Sequence, residues 1–199
     1  MGISEKPYIV VFEGIDGAGK STQIQIVYEL LREKGKNVKL LREPGSTEIG
    51  DKIRDILKAN KLNPKTQAFL IEASRAHMIE THFKGFDGIV LLDRYIYSTI
   101  AYQGYGSGLD ISFLKALNDF AIGMYKPDIT LLFDIDPSTA LKRLQREKDV
   151  FEDLEFLERV RKGYLELARE YKFFIVDASK SKEEVTSTVL TILKQHNVF

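Results

Sequence analysis

Residues 8–23, YIVVFEGIDGAGKSTQ, hold the first group of side chains whose types and spacing suit chemistry. Gly14, Gly19, Lys20 and Ser21 satisfy G-x-x-x-x-G-K-[ST], with a strand-like apolar run before the turn and helix-compatible sequence after it. Small residues at Gly14, Gly17, Ala18 and Gly19 let several backbone N–H groups point at one anion, and the start of the following helix adds its positive end. Lys20 supplies a mobile cation for β- and γ-phosphates, and the Ser21 hydroxyl is the expected Mg²⁺ ligand. A glycine turn that merely joins strand to helix needs neither side chain. A second polar cluster follows IVLLD (89–93): Arg94, Tyr95, Ser98, Thr99, Tyr102 and Gln103. Asp93, leaving an apolar strand beside a phosphate turn, is placed to hold Mg²⁺ through water. Arg94 offers a planar fork suited to phosphate. A third group, Lys142, Arg143, Arg146 and Lys148, is either a positive segment that closes over phosphates or a solvated helix face.

The elements that must position these groups follow from periodicity. Apolar strands are predicted at 8–13, 37–41, 89–93, 129–134 and 173–177, each separated from the next by helical patterns. Strands buried on both faces and joined by helices imply a doubly wound parallel sheet, whose ligands bind at the carboxyl ends of the strands. Helical stripes run through Ile24, Val27 and Leu31, with Gly35 as the stop, and through Ile49, Ile53 and Leu57, with Ser46 as the cap. Asn63 and Pro64 open a helix carrying Ile71 and Arg75 near one stripe, and an arginine in that setting is ordinarily a snorkelling edge residue. The stripe Phe113, Leu117, Phe120 and Met124 is expected in the core. Gly104, Gly106 and Gly108 around Tyr105 are expected to form a flexible loop. Asp134 and Asp136, the latter ahead of Pro137, are assigned structural roles.

The chain has 199 residues with 44% hydrophobic and 29% charged content, the composition of one ordinary globular domain spanning 1–199. Lys and Arg number 29 against 29 Asp and Glu, so no overall field argues for nucleic acid or membrane as a partner. The absence of cysteine excludes disulfides and thiolate zinc sites. With no long apolar run, a cytoplasmic location is expected.

Taken together, FEGIDGAGKST, REPG, DRYIYSTIAYQG and FLERVRKGYLELA stand in the order found in thymidylate kinases, P-loop nucleoside monophosphate kinases that the sequence resembles over nearly its whole length. The resemblance implies a three-layer α/β P-loop fold with a five-stranded parallel sheet of order 2-3-1-4-5, a short lid at about 142–151, and a homodimer. It implies transfer of the γ-phosphoryl group of ATP to dTMP with Mg²⁺ held by Ser21 and Asp93. Gly14, Asp16, Gly17, Ala18, Gly19, Lys20, Ser21 and Thr22 would then bind ATP. For the acceptor, Asp16 would meet the deoxyribose 3′-hydroxyl, Arg94 the phosphate and Arg75 the thymine edge. Thr99 and Gln103 would lie near the base, Tyr102 by the sugar with Tyr164 closing that wall, and Arg42 and Glu43 beside the phosphate. Gly17 follows Asp16 with no arginine in the turn, so the catalytic cations fall to Lys20, Arg94 and the lid residues Arg143 and Arg146. Three positions depart from the family pattern: Ser46 replaces a glycine, Val150 stands where relatives commonly carry arginine, and Ile71 occupies the place of a phenylalanine that stacks on thymine. Ile71 keeps open a monophosphate kinase of other base specificity. A nucleotide-dependent switch is disfavoured by the absence of N-K-x-D.

Overall fold

The five apolar segments become five parallel strands in a computed structural model that describes residues 6–144 and 150–199. Strands β1 (Tyr8–Glu13), β2 (Val38–Arg42), β3 (Ile89–Asp93), β4 (Ile129–Asp134) and β5 (Phe174–Asp177) lie in the order β2-β3-β1-β4-β5. This is the predicted order, with helices around the sheet. The central strand has no exposed surface from Ile9 to Phe12, as expected of a strand covered on both faces. Parallel register pairs Phe12 of β1 and Arg42 of β2 with Asp93 of β3, so the carboxyl ends align along one edge. Every candidate cluster described so far, apart from the basic segment, starts from that edge.

The helices are α1 (Lys20–Glu33), α2 (Glu48–Ala59), α3 (Pro64–His82), α4 (Ile96–Thr99), α5 (Ile111–Ile122), α6 (Pro137–Arg143), α7 (Val150–Tyr171) and α8 (Lys182–Gln195). Asn63 caps α3, its Oδ1 accepting from Thr66 N at 2.9 Å, and Asp136 caps α6. Asp134 is held by the Arg161 fork at 2.7 and 2.9 Å, a structural role as expected.

Four expectations are corrected. The cap of α2 is Thr47, not Ser46: Thr47 has the extended backbone a cap requires and accepts from Gly50 N at 2.9 Å. Ser46 instead has φ 65° and closes the preceding turn onto the backbone of Arg42. On α5 the buried side is Leu114, Asn118 and Ile122, while Phe113, Phe120 and Met124 are 46%, 88% and 54% exposed. That apolar stripe faces outward. Finally, Gly104 and Gly106 do not form a loop but lie buried in a π-helix, Ile100–Gly106, that continues α4. A Cβ on Gly106 would stand 2.7 Å from the Phe156 ring, and one on Gly163 of α7 would stand 2.5 Å from Tyr105. These two glycines let the π-helix and α7 approach closely, so they serve packing and not flexibility.

Arg75 is the fourth correction, because it does not snorkel: it is wholly buried. Its Nε and Nη2 donate to Glu43, Nη2 at 2.7 Å, and Nη1 donates to Glu72 and to Asn118 Oδ1. Nη2 also donates to Thr99 Oγ1 at 3.0 Å, so all five guanidinium N–H donors have partners. One cation thus ties the turn after β2, α3, α4 and α5 together. Burial raises the Glu43 carboxyl to about 7, with Arg75 offsetting only part of the desolvation.

Two stability predictions follow from this packing. Arg75→Ala leaves Glu43 and Glu72 buried without a cation and should cost ~3–5 kcal/mol in denaturant unfolding. An unchanged midpoint would show that the cluster does not hold the helices. Gly163→Val places a branched side chain against Tyr105 and should lower stability by ~1–3 kcal/mol, read as a fall in Tm.

Candidate active site

The phosphate turn is built on three left-handed glycines. Gly14, Gly17 and Gly19 have φ 140°, 83° and 84°, and Cβ atoms on Gly14 and Gly17 would lie 2.6 Å from Phe133 O and 2.5 Å from Ala140 O. Backbone conformation and close approach both demand glycine there. Ala18 is buried beneath the turn. Lys20 opens α1 and is 5% exposed, its Nζ donating to Ile15 O at 2.9 Å. Burial pulls its ammonium down to about 8, Arg94 adding to the fall while Asp93, Asp16 and Glu13 oppose it. A phosphate arriving in the turn would restore the charge that desolvation weakens.

Ser21 Oγ donates to Asp93 Oδ2 at 2.8 Å, so the hydroxyl and carboxylate predicted to share a metal stand in contact. Asp93 and its neighbour Arg94 diverge. Arg94 has φ 71°, which turns its side chain away from Asp93. Its Nη2 donates to Asp16 Oδ1 at 2.7 Å and to the Tyr102 hydroxyl at 3.0 Å, and its Nη1 donates to Ser98 Oγ and the Tyr164 hydroxyl, both at 3.0 Å. The guanidinium also stands over the Tyr102 ring, 4.9 Å from its centroid.

A cavity of about 440 Å³ is lined by Lys20, Ser21 and Asp93 and also by Arg94, Ile71 and Gln103. A smaller adjoining space of about 160 Å³ takes in Arg75, Thr99 and Tyr102. Ile71 lines both, whereas Phe69, two residues earlier, is half-exposed and meets Phe113 edge-on with ring centroids 6.4 Å apart. Gln103 Nε2 donates to Gln67 Oε1 at 3.2 Å. Arg42 lines the larger cavity and lies 3.7 Å from Asp51, while Glu43 lines it from a buried position, committed to Arg75. Tyr164 stands behind Arg94, its hydroxyl bonded to that residue, to Ser98 and to Glu13, and it is not among the residues lining either space.

Beyond the phosphate turn, Gly19 and Thr22 border a separate space of about 210 Å³ with Arg143, Lys180 and Lys182. Arg143, at the end of α6, donates to Ala178 O at 3.0 Å. Arg146 and Lys148 lie outside the described residues, as do residues 145–149 of the expected lid as a whole.

Two site features escape the sequence motifs. Arg54 and Lys58 of α2 line the larger cavity; Arg54 Nη1 donates to Pro44 O at 3.0 Å and its buried Nε has no partner among the described residues. The visible signal is a basic pair at i and i+4 on the helix that follows REPG. The other is Glu13, a charge closing an otherwise apolar central strand and completely buried.

Residues 12–189 match the family model for thymidylate kinase. The chain is 39% identical over 201 residues to the thymidylate kinase of Thermoanaerobacter sp., covering 96% of this chain and 99% of that protein. It is 43% identical over 201 residues to the thymidylate kinase of Finegoldia magna, at 95% and 98% coverage. A crystal structure of thymidylate kinase from Ehrlichia chaffeensis superposes with a TM-score of 0.79 at 33% identity, covering 95% of this chain and 99% of that one. With the phosphate turn and the Arg94 cluster opening on one cavity, and relatives matched end to end, the chain belongs to the thymidylate kinase family.

Proposed function

We infer that the protein is a phosphotransferase that moves the γ-phosphoryl group of ATP to dTMP, giving dTDP and ADP, as the first step from dTMP toward dTTP. The observation that carries this is the single cavity shared by Lys20, Ser21 and Asp93 with Arg94, Ile71 and Gln103. A hydrolase would need only the first three; a second cationic fork beside an apolar wall calls for a second phosphorylated ligand with a flat, weakly polar base.

In the proposed division of labour, the turn from Gly14 to Thr22 cradles the donor phosphates and Lys20 neutralises the β- and γ-groups. Ser21 and Asp93 fit Mg²⁺, since a hydroxyl and a carboxylate already in contact are hard oxygen donors and this ion needs few protein ligands. When bound, the ion would offset charge between the donor phosphates. Arg94 takes the acceptor phosphate, which replaces the Asp16 carboxylate at Nη2, and Asp16, with a half-exposed side chain, turns to the sugar 3′-hydroxyl. Arg42 and Arg54 add positive charge to the same wall. Thr99 Oγ1 is the Arg75 partner that a base carbonyl would replace. Tyr102, already on Arg94, borders the sugar, with Tyr164 behind it and Glu43 fixing Arg75. The lid cations, Arg143 and Arg146, would close over the transferring group and keep water out. Each of these residues acts by position and charge, the two things phosphoryl transfer requires.

The exposed stripe Phe113, Phe120 and Met124 on and just past α5, with Phe69 on α3, supports a homodimer formed across those helices. No helix among the described residues is long and apolar enough to cross a membrane.

Lys20→Ala should reduce kcat more than ~100-fold with an unchanged circular dichroism spectrum, because its cation stabilises the transferring phosphoryl group. Near-normal turnover would reject the phosphate-clamp assignment. Ile71→Phe should lower KM for dTMP and widen its preference over dUMP, since base stacking on an aromatic ring adds ~1–3 kcal/mol. An unchanged or raised KM would show that the base lies elsewhere. Phe120→Asp should convert a sedimenting dimer to monomer; a variant that stays dimeric moves the interface off α5.

A further inference from the structure

Glu13 lines neither cavity, yet it lies directly behind Arg94. It ends β1 and is completely buried. Its Oε1 accepts from Tyr95 N at 3.0 Å and Ser98 N at 3.2 Å, so a side chain from one strand caps the start of α4, which has no side-chain cap of its own. Its Oε2 accepts from Ser98 Oγ at 2.6 Å and the Tyr164 hydroxyl at 3.0 Å. Those two hydroxyls stand 2.7 Å apart, and both accept from Arg94 Nη1.

The direction of the protons follows from donor counting. An ionised carboxylate only accepts, each hydroxyl has one proton, and Nη1 only donates. Both hydroxyl protons therefore run toward Glu13, directly or with Tyr164 donating through Ser98, and both oxygens turn lone pairs to Nη1. Two acceptors then match its two N–H bonds, which fixes the guanidinium plane. The relay also keeps the anion one hydroxyl away from Arg94, so the fork is oriented without a direct ion pair from this side. Nη2 is left on the cavity side with Asp16 and Tyr102.

We propose that Glu13 is a positioning residue for the phosphoryl acceptor: by setting the proton direction of Ser98 and Tyr164, it holds Arg94 with its Nη2 edge toward the acceptor phosphate. This rests on the assignment of Arg94 to that phosphate. It separates two roles of one carboxylate, capping α4 through Oε1 and aiming Arg94 through Oε2. Gln separates them experimentally, because its amide oxygen still caps Tyr95 N and Ser98 N while its NH₂ faces the hydroxyls as a donor. The hydroxyl protons would then be driven toward Nη1, against its own N–H groups.

The test is steady-state kinetics of the full chain with dTMP and ATP for Glu13→Gln, for the pair Ser98→Ala with Tyr164→Phe, and for all three changes together. Glu13→Gln should lower kcat/KM for dTMP by about tenfold or more, the size expected for losing an oriented hydrogen bond to a charged group, with KM for ATP within about twofold. In the background lacking both hydroxyls, Glu13→Gln should add less than about twofold, because the relay it acts through is gone. Equal losses in both backgrounds, or equal changes for dTMP and ATP accompanied by a lower Tm, would assign Glu13 to capping alone and overturn the proposal. So would unchanged kinetics. Tyr164→Phe alone, which leaves the cap intact, should itself weaken dTMP use selectively, and its failure to do so overturns the relay even if Glu13→Gln does not fold. Arg94→Ala is the control on the underlying assignment: if it leaves dTMP use intact, the acceptor role of Arg94 fails, whatever Glu13 does.

Discussion

The structure depends on holding an arginine in a left-handed backbone at the end of a buried strand and keeping its guanidinium available. Arg94 meets both demands through neutral hydroxyls on Nη1 and an exchangeable carboxylate on Nη2. A buried ion pair made directly with Glu13 would hold the cation as firmly but spend its charge. The Tyr102 ring beneath the guanidinium adds attraction without neutralising it. The surrounding elements can be understood from this requirement: β1 brings Glu13, α4 and the π-helix bring Ser98 and Tyr102, and α7 brings Tyr164. The close packing of α7 on the π-helix, permitted by Gly106 and Gly163, is what carries Tyr164 to its place.

The second cationic centre is solved in the opposite way. Arg75 is closed in by Glu43, Glu72, Asn118 and Thr99, so its charge is committed to the fold. The cluster stiffens the wall that carries Ile71, and it makes the turn after β2 part of the same rigid unit. The contrast explains why two arginines near one cavity differ in what they offer a ligand: Arg94 has a partner that can leave, while Arg75 must surrender a buried contact to make a new one.

Much of this was legible in the residues. Strand positions emerge from apolar runs because a parallel sheet covered on both faces needs nothing else, and the glycine turn declares itself because only that residue fits its φ values and close approaches. Ile71 and Arg75 share a face by helical arithmetic, and both border the smaller space. The misplaced features have one physical cause: periodicity records which residues are apolar, not which surface they meet. The stripe Phe113, Phe120 and Met124 has the pattern of a core face and lies outside. Gly104 and Gly106 have loop composition and pack inside a π-helix. Glu13 and Arg54 carry no local pattern that reveals their partners, because the partners of Glu13, namely Tyr95, Ser98 and Tyr164, are 82 or more positions away, and that of Arg54 is a loop carbonyl.

The most direct test of the account is a crystal structure with dTMP and ADP bound. The acceptor phosphate should sit on Arg94 Nη2 with Asp16 turned to the sugar hydroxyl, while Ser98 and Tyr164 keep their contacts to Nη1 and to Glu13. An intact Arg94–Asp16 pair with the dTMP phosphate held by other residues would contradict it.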